Sequence, residues 1–242
     1  MIPGPAGQGE LPGRSLRAVL RLWPRILGAL AFRYAAYAAM TALALWNELR
    51  PAATVPDLAL AHLPYLPWVD RLNYWLWLLA YLPLTALLLL EEPRRWVRYM
   101  VTGGLVSLAR GVAIALTGLG PPDPVHAGPG IGGRDFATAY LELLSPLGVF
   151  QRGSAAAYLT KDLFFSGHAA TTFLLWLYLR DRPRLAWPAL AAHLLVVASV
   201  MLAHLHYAID VVGAWAVTFA LYVLREGWPA AEPPGTAGEV SS

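Results

Sequence analysis

Six apolar runs, each near the ~20 residues that carry a helix across a bilayer, leave this chain few architectures. They lie at 28–47, 73–90, 97–118, 163–180, 185–204 and 208–225. Within hydrocarbon every backbone N–H and C=O needs a partner inside the protein, and a helix supplies all of them. The expected fold is therefore all-α, a polytopic bundle of six transmembrane helices. Only 14% of the residues are charged and 57% are hydrophobic, which excludes an ordinary soluble domain.

The charges between the runs set an orientation. With the N-terminus in the cytoplasm, Arg14, Arg17, Arg21, Arg25, Arg94, Arg95, Arg98, Arg180, Arg182, Arg184 and Arg225 fall inside. Arg50, Arg71, Arg134, Arg152 and Lys161 fall outside, in longer connections. Eleven against five places both termini in the cytoplasm. This patterning accounts for the net charge of +3, so the chain carries no nucleic-acid surface. Arg14, Arg17, Arg21 and Arg25 share one helical face opposite Leu16, Val19, Leu20, Trp23 and Leu27. They form either an interfacial amphipathic helix over 14–27 or a plain positive-inside cluster. Arg33 interrupts the first run and is expected to snorkel to the near interface. Residues 1–13 and 229–242, rich in Gly, Pro and Ser, read as disordered tails around a membrane domain at 28–228.

No cysteine is present, so disulfides and thiolate chemistry are excluded. One Lys among eighteen basic residues, with abundant Ala, Gly and Pro, fits a GC-rich coding genome and a bacterial plasma membrane. The 118–162 connection is long for a link between spans, and such loops usually carry function or disorder. Its second half, apolar over Phe136–Leu147, reads as a short helix at the interface.

Two clusters carry chemistry, and the charge count puts both on the non-cytoplasmic side. The first is Asp162-Leu-Phe-Phe-Ser166-Gly167-His168; the second is His204-Leu-His206-Tyr-Ala-Ile-Asp210. Four residues apart, His206 and Asp210 share a face of a helix. An aspartate accepting from one imidazole nitrogen fixes the tautomer and leaves the other nitrogen as a nucleophile. Ser166-Gly167 at a span's start offers unpaired N–H groups and a positive dipole end, a cradle for phosphate. His168 beside it can protonate a leaving lipid alkoxide. Arg110, in the outer half of span three, is a functional candidate because an intramembrane arginine is costly. Its alternative is snorkelling to headgroups. Tyr140, Tyr207 and Trp215 are candidates to line a quaternary-ammonium headgroup site. His193 reads as a packing residue, His62 and His126 as loop residues, and no metal site is expected.

Ser166-Gly167-His168 followed by His206-x-x-x-Asp210 resembles the type-2 phosphatidic acid phosphatase (PAP2) superfamily. The longer strings around both motifs, with Leu108-Ala-Arg110 and more faintly Val55-Pro56-Asp57, resemble its sphingomyelin synthase branch. The resemblance covers about 55–225. It implies His206 as nucleophile, Asp210 as its partner and His168 as general acid. It also implies Asp162 as an acidic member of the site and a glutamate in the preceding loop, for which Glu142 is the candidate. Two superfamily features are missing: a lysine upstream of an Arg-Pro step, and an arginine six residues before the nucleophile, where this chain has Val200. Thr160-Lys161 stands where the synthase branch has Cys-Gly. Arg110, with Lys161 second, is then expected to meet the phosphate charge.

The expected activity is transfer of a phospho-headgroup from a membrane phospholipid to a lipid alcohol, of ceramide or diacylglycerol type, through a phosphohistidine. The alternatives are a lipid phosphate phosphatase or phospholipase C-type hydrolase using water, and a non-enzymatic transporter or scaffold. No cofactor is needed, and homo-oligomerisation is left open.

Overall fold

A computed structural model describes residues 12–127, 135–145 and 159–227, with side chains from Arg17 onward. The expected disordered tails lie mostly outside these residues, as do Arg134, Arg152 and much of the 118–162 connection.

Seven helices form among the described residues: α1 (Pro12–Glu48), α2 (Pro67–Glu91), α3 (Pro93–Thr117), α4 (Phe136–Leu144), α5 (Gly167–Leu179), α6 (Pro183–Leu202) and α7 (Ala208–Glu226). Local chemistry sets their limits. Proline opens α2, α3 and α6, where its missing N–H costs nothing. Gly118 closes α3 in the left-handed region (φ 56°), passing its N–H to Ile114. Asp135 caps α4 and Ser166 caps α5 through their side-chain oxygens.

Five helices are long and apolar enough to cross a membrane: α1 from Arg17, α2, α3, α6 and α7. The 14–27 segment, expected as an interfacial helix or a positive-inside cluster, is continuous with the 28–47 run in one helix of 37 residues, which Pro24 does not break. The expected crossing at 163–180 shortens to α5, whose 13 residues span about 20 Å against a hydrocarbon core of about 30 Å. Residues 162–166 leave the helix to wrap around Arg110, as described below.

The helices alternate in direction, giving the bundle a Glu48 end and a Glu92 end. α1 and α3 run side by side in close contact, made close by glycine. A Cβ on Gly111 would lie 2.9 Å from the Met40 Cα, so the two backbones approach as no larger residue permits. Gly104 receives the Phe32 ring and Gly103 the Arg33 guanidinium. The buried Nη1 of Arg33 has no hydrogen-bond partner among the described residues. The core gathers around α5, where Leu174, Leu175 and Leu179 are almost fully buried with Tyr99 of α3 and Val200 of α6. Leu79, Leu116 and Leu224 face outward at 68–81% exposure, as lipid-facing residues do.

At the Glu92 end several charges are paired. Arg95 donates to both oxygens of Asp181 (2.6 and 2.7 Å) and to Glu92 (3.1 Å), and Arg182 also reaches Glu92. Arg98 pairs with Glu226 at 3.4 Å. These bonds fasten the α2–α3 turn to the α5–α6 turn and to the end of α7. Hydrogen bonds from Arg95 hold the Asp181 carboxyl below its usual range.

Candidate active site

The N-termini of α5 and α7 meet at the Glu48 end. The Ser166 N–H donates to the Asp210 carbonyl at 3.1 Å, joining the two sequence clusters through the backbone. Gly213, one turn further along α7, makes room for Phe164; a Cβ there would come 2.8 Å from the ring.

His206 lies just before α7, so the H-x-x-x-D pair is not the two positions of one helical face. Asp210, in the first turn, reaches backward instead. Its Oδ2 accepts from His206 Nδ1 (3.1 Å) and from the Tyr207 N–H (3.0 Å). A carboxylate can only accept, so Nδ1 carries a proton, and in the neutral ring Nε2 keeps its lone pair. Both residues are buried, and Asp210 Oδ1 has no partner among the described residues.

Arg110 enters from α3 beneath α5. Its Nε donates to the Phe165 carbonyl (2.6 Å), and Nη2 donates to the Asp162 carbonyl (2.5 Å) and carboxylate Oδ2 (3.0 Å). Among the described residues Nη1 has only the Met40 sulfur, at 3.3 Å, a weak acceptor. Gly167 permits this approach, since a Cβ there would press on Nε at 3.3 Å. The guanidinium thus shapes the loop at 162–166, and the side of Nη1 is the part not held by oxygen acceptors.

His168 sits in the first turn of α5 with its ring edge-on to Trp77 of α2, centroids 5.2 Å apart. Neither of its ring nitrogens has a hydrogen-bond partner among the described residues. Ser166 is wholly buried, and its Oγ accepts from the Ala169 N–H at 3.4 Å, leaving the hydroxyl a capping role.

The other expected residues are placed as follows. Lys161 Nζ donates to the carbonyls of Glu48 (2.9 Å) and Arg50 (2.7 Å), which fastens the loop to the end of α1. Tyr207 is 1% exposed; its hydroxyl donates to Gly120 O (2.9 Å) and accepts from the Val55 N–H (3.2 Å). Glu142 is half-buried on α4, which docks on α1 through Tyr34, Tyr37 and Tyr140. The Tyr140 hydroxyl bonds Ala38 O, and the Trp215 indole bonds His193, which is more than a packing residue. Val200, where the superfamily has arginine, is wholly buried.

Three further residues, to which the sequence reading gave no role, support the site. Glu48 ends α1 and accepts from the Thr160 N–H (2.6 Å), the Thr160 hydroxyl (2.8 Å) and the Lys161 N–H (2.6 Å), anchoring the chain two residues before Asp162. Its only signal is an acid placed at the end of an apolar run. Asp57 accepts from Ala59 and Leu60 N–H and, at 2.6 Å, from the Ala208 N–H at the start of α7. His204 lies between Asp123 (3.3 Å) and the Leu63 carbonyl (3.1 Å). There the Val125 N–H, and behind it His204, hold the Asp123 carboxyl below its usual range. The described residues contain no group of His, Asp and Glu placed to hold a metal ion.

A histidine with a free Nε2, oriented by a buried aspartate and facing a helix start that carries Ser-Gly-His, can attack a phosphorus atom. Residues 161–226 match the family model of the PAP2 superfamily C-terminal domain. The matched stretch contains Ser166-Gly167-His168, His206 and Asp210, and it supports membership of the PAP2 superfamily. With the apolar helices it also supports a membrane enzyme of lipid phosphoesters. Among curated proteins none matches the chain.

Proposed function

We propose that the protein is a membrane phosphotransferase that moves a phospho-headgroup from a phospholipid to a lipid alcohol. The observation that carries this reading is the Asp210–His206 bond, which leaves Nε2 as the nucleophile beside the start of α5. In the first step Nε2 bonds to phosphorus while the bond to the lipid oxygen breaks. His168 gives its proton to that oxygen, and the lipid departs as an alcohol. In the second step an acceptor hydroxyl loses its proton to His168 and attacks phosphorus, and the P–N bond breaks. Asp162, and Glu142 as implied by the resemblance, are the acidic residues offered to the acceptor side. Ser166 and Gly167 shape the phosphate cradle, with Arg110 Nη1 its nearest cation. Tyr207 and Lys161 act by holding the loops.

The choice of a phosphodiester over a phosphomonoester follows from charge. A phosphomonoester carries nearly two negative charges, and Arg110 and Lys161 are largely committed to protein oxygens. Val200 supplies no cation, and Asp162 and Asp210 add negative charge in a site of low dielectric. A diester presents a single charge, and a choline or ethanolamine headgroup brings its own cation. The resemblance to sphingomyelin synthases favours transfer over hydrolysis. We further propose that the site faces the non-cytoplasmic side, from the arginine asymmetry.

The test is a product assay on the purified protein with phosphatidylcholine, phosphatidylethanolamine and phosphatidic acid offered separately, each with and without ceramide. Consumption of a diester that accelerates with ceramide is expected. Fast phosphate release from phosphatidic acid, with no diester consumed, would overturn the reading in favour of a phosphatase.

A further inference from the structure

His193 lies on α6, 3% exposed, in a core otherwise built of leucine, valine and aromatic rings. Burying an imidazole there costs free energy unless both nitrogens are bonded. Both are. Trp215 of α7 gives its indole N–H to His193 Nε2 at 2.9 Å, and Nδ1 lies 2.9 Å from the Thr172 hydroxyl of α5. An indole can only donate, so Nε2 must hold a lone pair and the neutral ring carries its proton on Nδ1. That proton points at Thr172 Oγ1. The threonine hydroxyl then has its own hydrogen to place, and the His168 carbonyl accepts it at 2.9 Å. The bonds thus run in one direction, from Trp215 through His193 and Thr172 to the backbone of His168.

A threonine bonding four residues back along its helix is commonplace. What is unusual is that a second helix and a third are tied into that bond through a buried ring. The neighbouring position repeats the device from the other side. Trp77 of α2 donates its indole N–H to the Thr171 hydroxyl at 3.0 Å, and that hydroxyl bonds the Gly167 carbonyl at 2.9 Å. The same Trp77 packs against the His168 ring. Two adjacent threonines therefore receive two polar rings, and both pass the bond to the turn that carries His168.

We propose that His193 is a positioning residue for His168, acting through Thr172, so that the imidazole of His168 is held where it delivers a proton to the departing lipid oxygen. The inference rests on the reading of His168 as the general acid. Its own partners, α6 and α7, set the first turn of α5, and a displacement of about 1 Å at such a group costs about 10²-fold in rate.

The experiment compares two substrates on the full chain in lipid nanodiscs. Phosphatidylcholine with ceramide has an alkoxide leaving group that needs a proton. In p-nitrophenylphosphorylcholine the p-nitrophenolate departs without one. For Thr172→Val and His193→Phe, kcat on the lipid is expected to fall about 10-fold to 10²-fold, with KM little changed, while the pre-steady-state burst of p-nitrophenolate, which precedes the step in which His168 takes the acceptor's proton, stays near the wild-type rate. Thr172→Ser, which keeps the hydroxyl, should restore the lipid rate. Trp215→Phe removes one donor and serves if His193→Phe does not fold. His168→Ala should show the same leaving-group dependence more strongly. An active wild type in which Thr172→Val slows lipid turnover and the p-nitrophenolate burst equally, or neither, overturns this inference alone. A wild type that turns over neither substrate, or a His168→Ala variant with no leaving-group dependence, overturns the proposed function and this inference with it.

Discussion

The two ends of the bundle handle polar groups in opposite ways. At the Glu92 end, Arg95, Arg182 and Arg98 close on Asp181, Glu92 and Glu226. At the Glu48 end, about 22 Å along α3 from Arg95 to Arg110, valences are left open. Among the described residues neither the His168 ring nitrogens nor the buried Asp210 Oδ1 have a hydrogen-bond partner, and His206 turns its Nδ1 to Asp210. Unpaired buried polar atoms are rare because each carries a desolvation cost. One end is built for holding, the other for reacting.

Four measurements break or sharpen this contrast. The first is all or none. Ala127→Cys and Arg184→Cys are each the only cysteine in the chain, and they stand near opposite ends. An impermeant thiol reagent should label them from opposite faces of sealed vesicles; labelling of both from one face would remove the two-ended description. Second, His206→Ala should lower turnover by at least about 10³-fold, with the melting temperature nearly unchanged and no phosphohistidine trapped by rapid quench. Wild-type-like turnover would eliminate the covalent route.

Third, Arg110→Ala should cost both activity and about 3 kcal/mol of stability, because it strands Asp162 and the Phe165 carbonyl. Arg110→Lys should recover part, as a point charge replaces a fork. An alanine variant that keeps its stability would mean that the loop holds itself. Smallest is the effect at the paired end. Arg95→Ala should cost at most about 1 kcal/mol after solvent screening of the half-exposed Asp181, with activity intact. The folded Asp181 titrates below its ordinary value, so the pair is fully stabilising above about pH 4. Its contribution fades as pH falls through that lower value. A loss of turnover in Arg95→Ala would show that the two ends are coupled.

Much of this was legible in the residues. The apolar runs marked the long helices, and Ser166-Gly167-His168 with His206 and Asp210 marked the two segments that the fold brings together. Boundaries failed where a distant side chain decides them. The 163–180 run starts late because Arg110, more than fifty residues earlier, takes the Phe165 and Asp162 carbonyls out of the helical pattern. The spacing of His206 and Asp210 suggested a shared helical face, yet it works through a first-turn reach that periodicity does not distinguish. His193 looked inert because its partners come from two other helices, and Glu48 because its three donors follow more than a hundred residues later. Local pattern reports what a segment does with its own neighbours. It is silent on contacts that chain crossing creates.

Gly111 has no chemistry of its own, yet it acts as a spacer of zero thickness in the seam beside Arg110. Met40 can bring its sulfur to the guanidinium only because nothing stands between the Met40 backbone and the Gly111 Cα. A methyl group there would act as a shim. It would push α1 away from α3 by part of an ångström and withdraw the thioether from the arginine. Tolerances at the reaction centre are thus set by a gap between two backbones, and the alignment of the whole site inherits the precision of that one missing side chain.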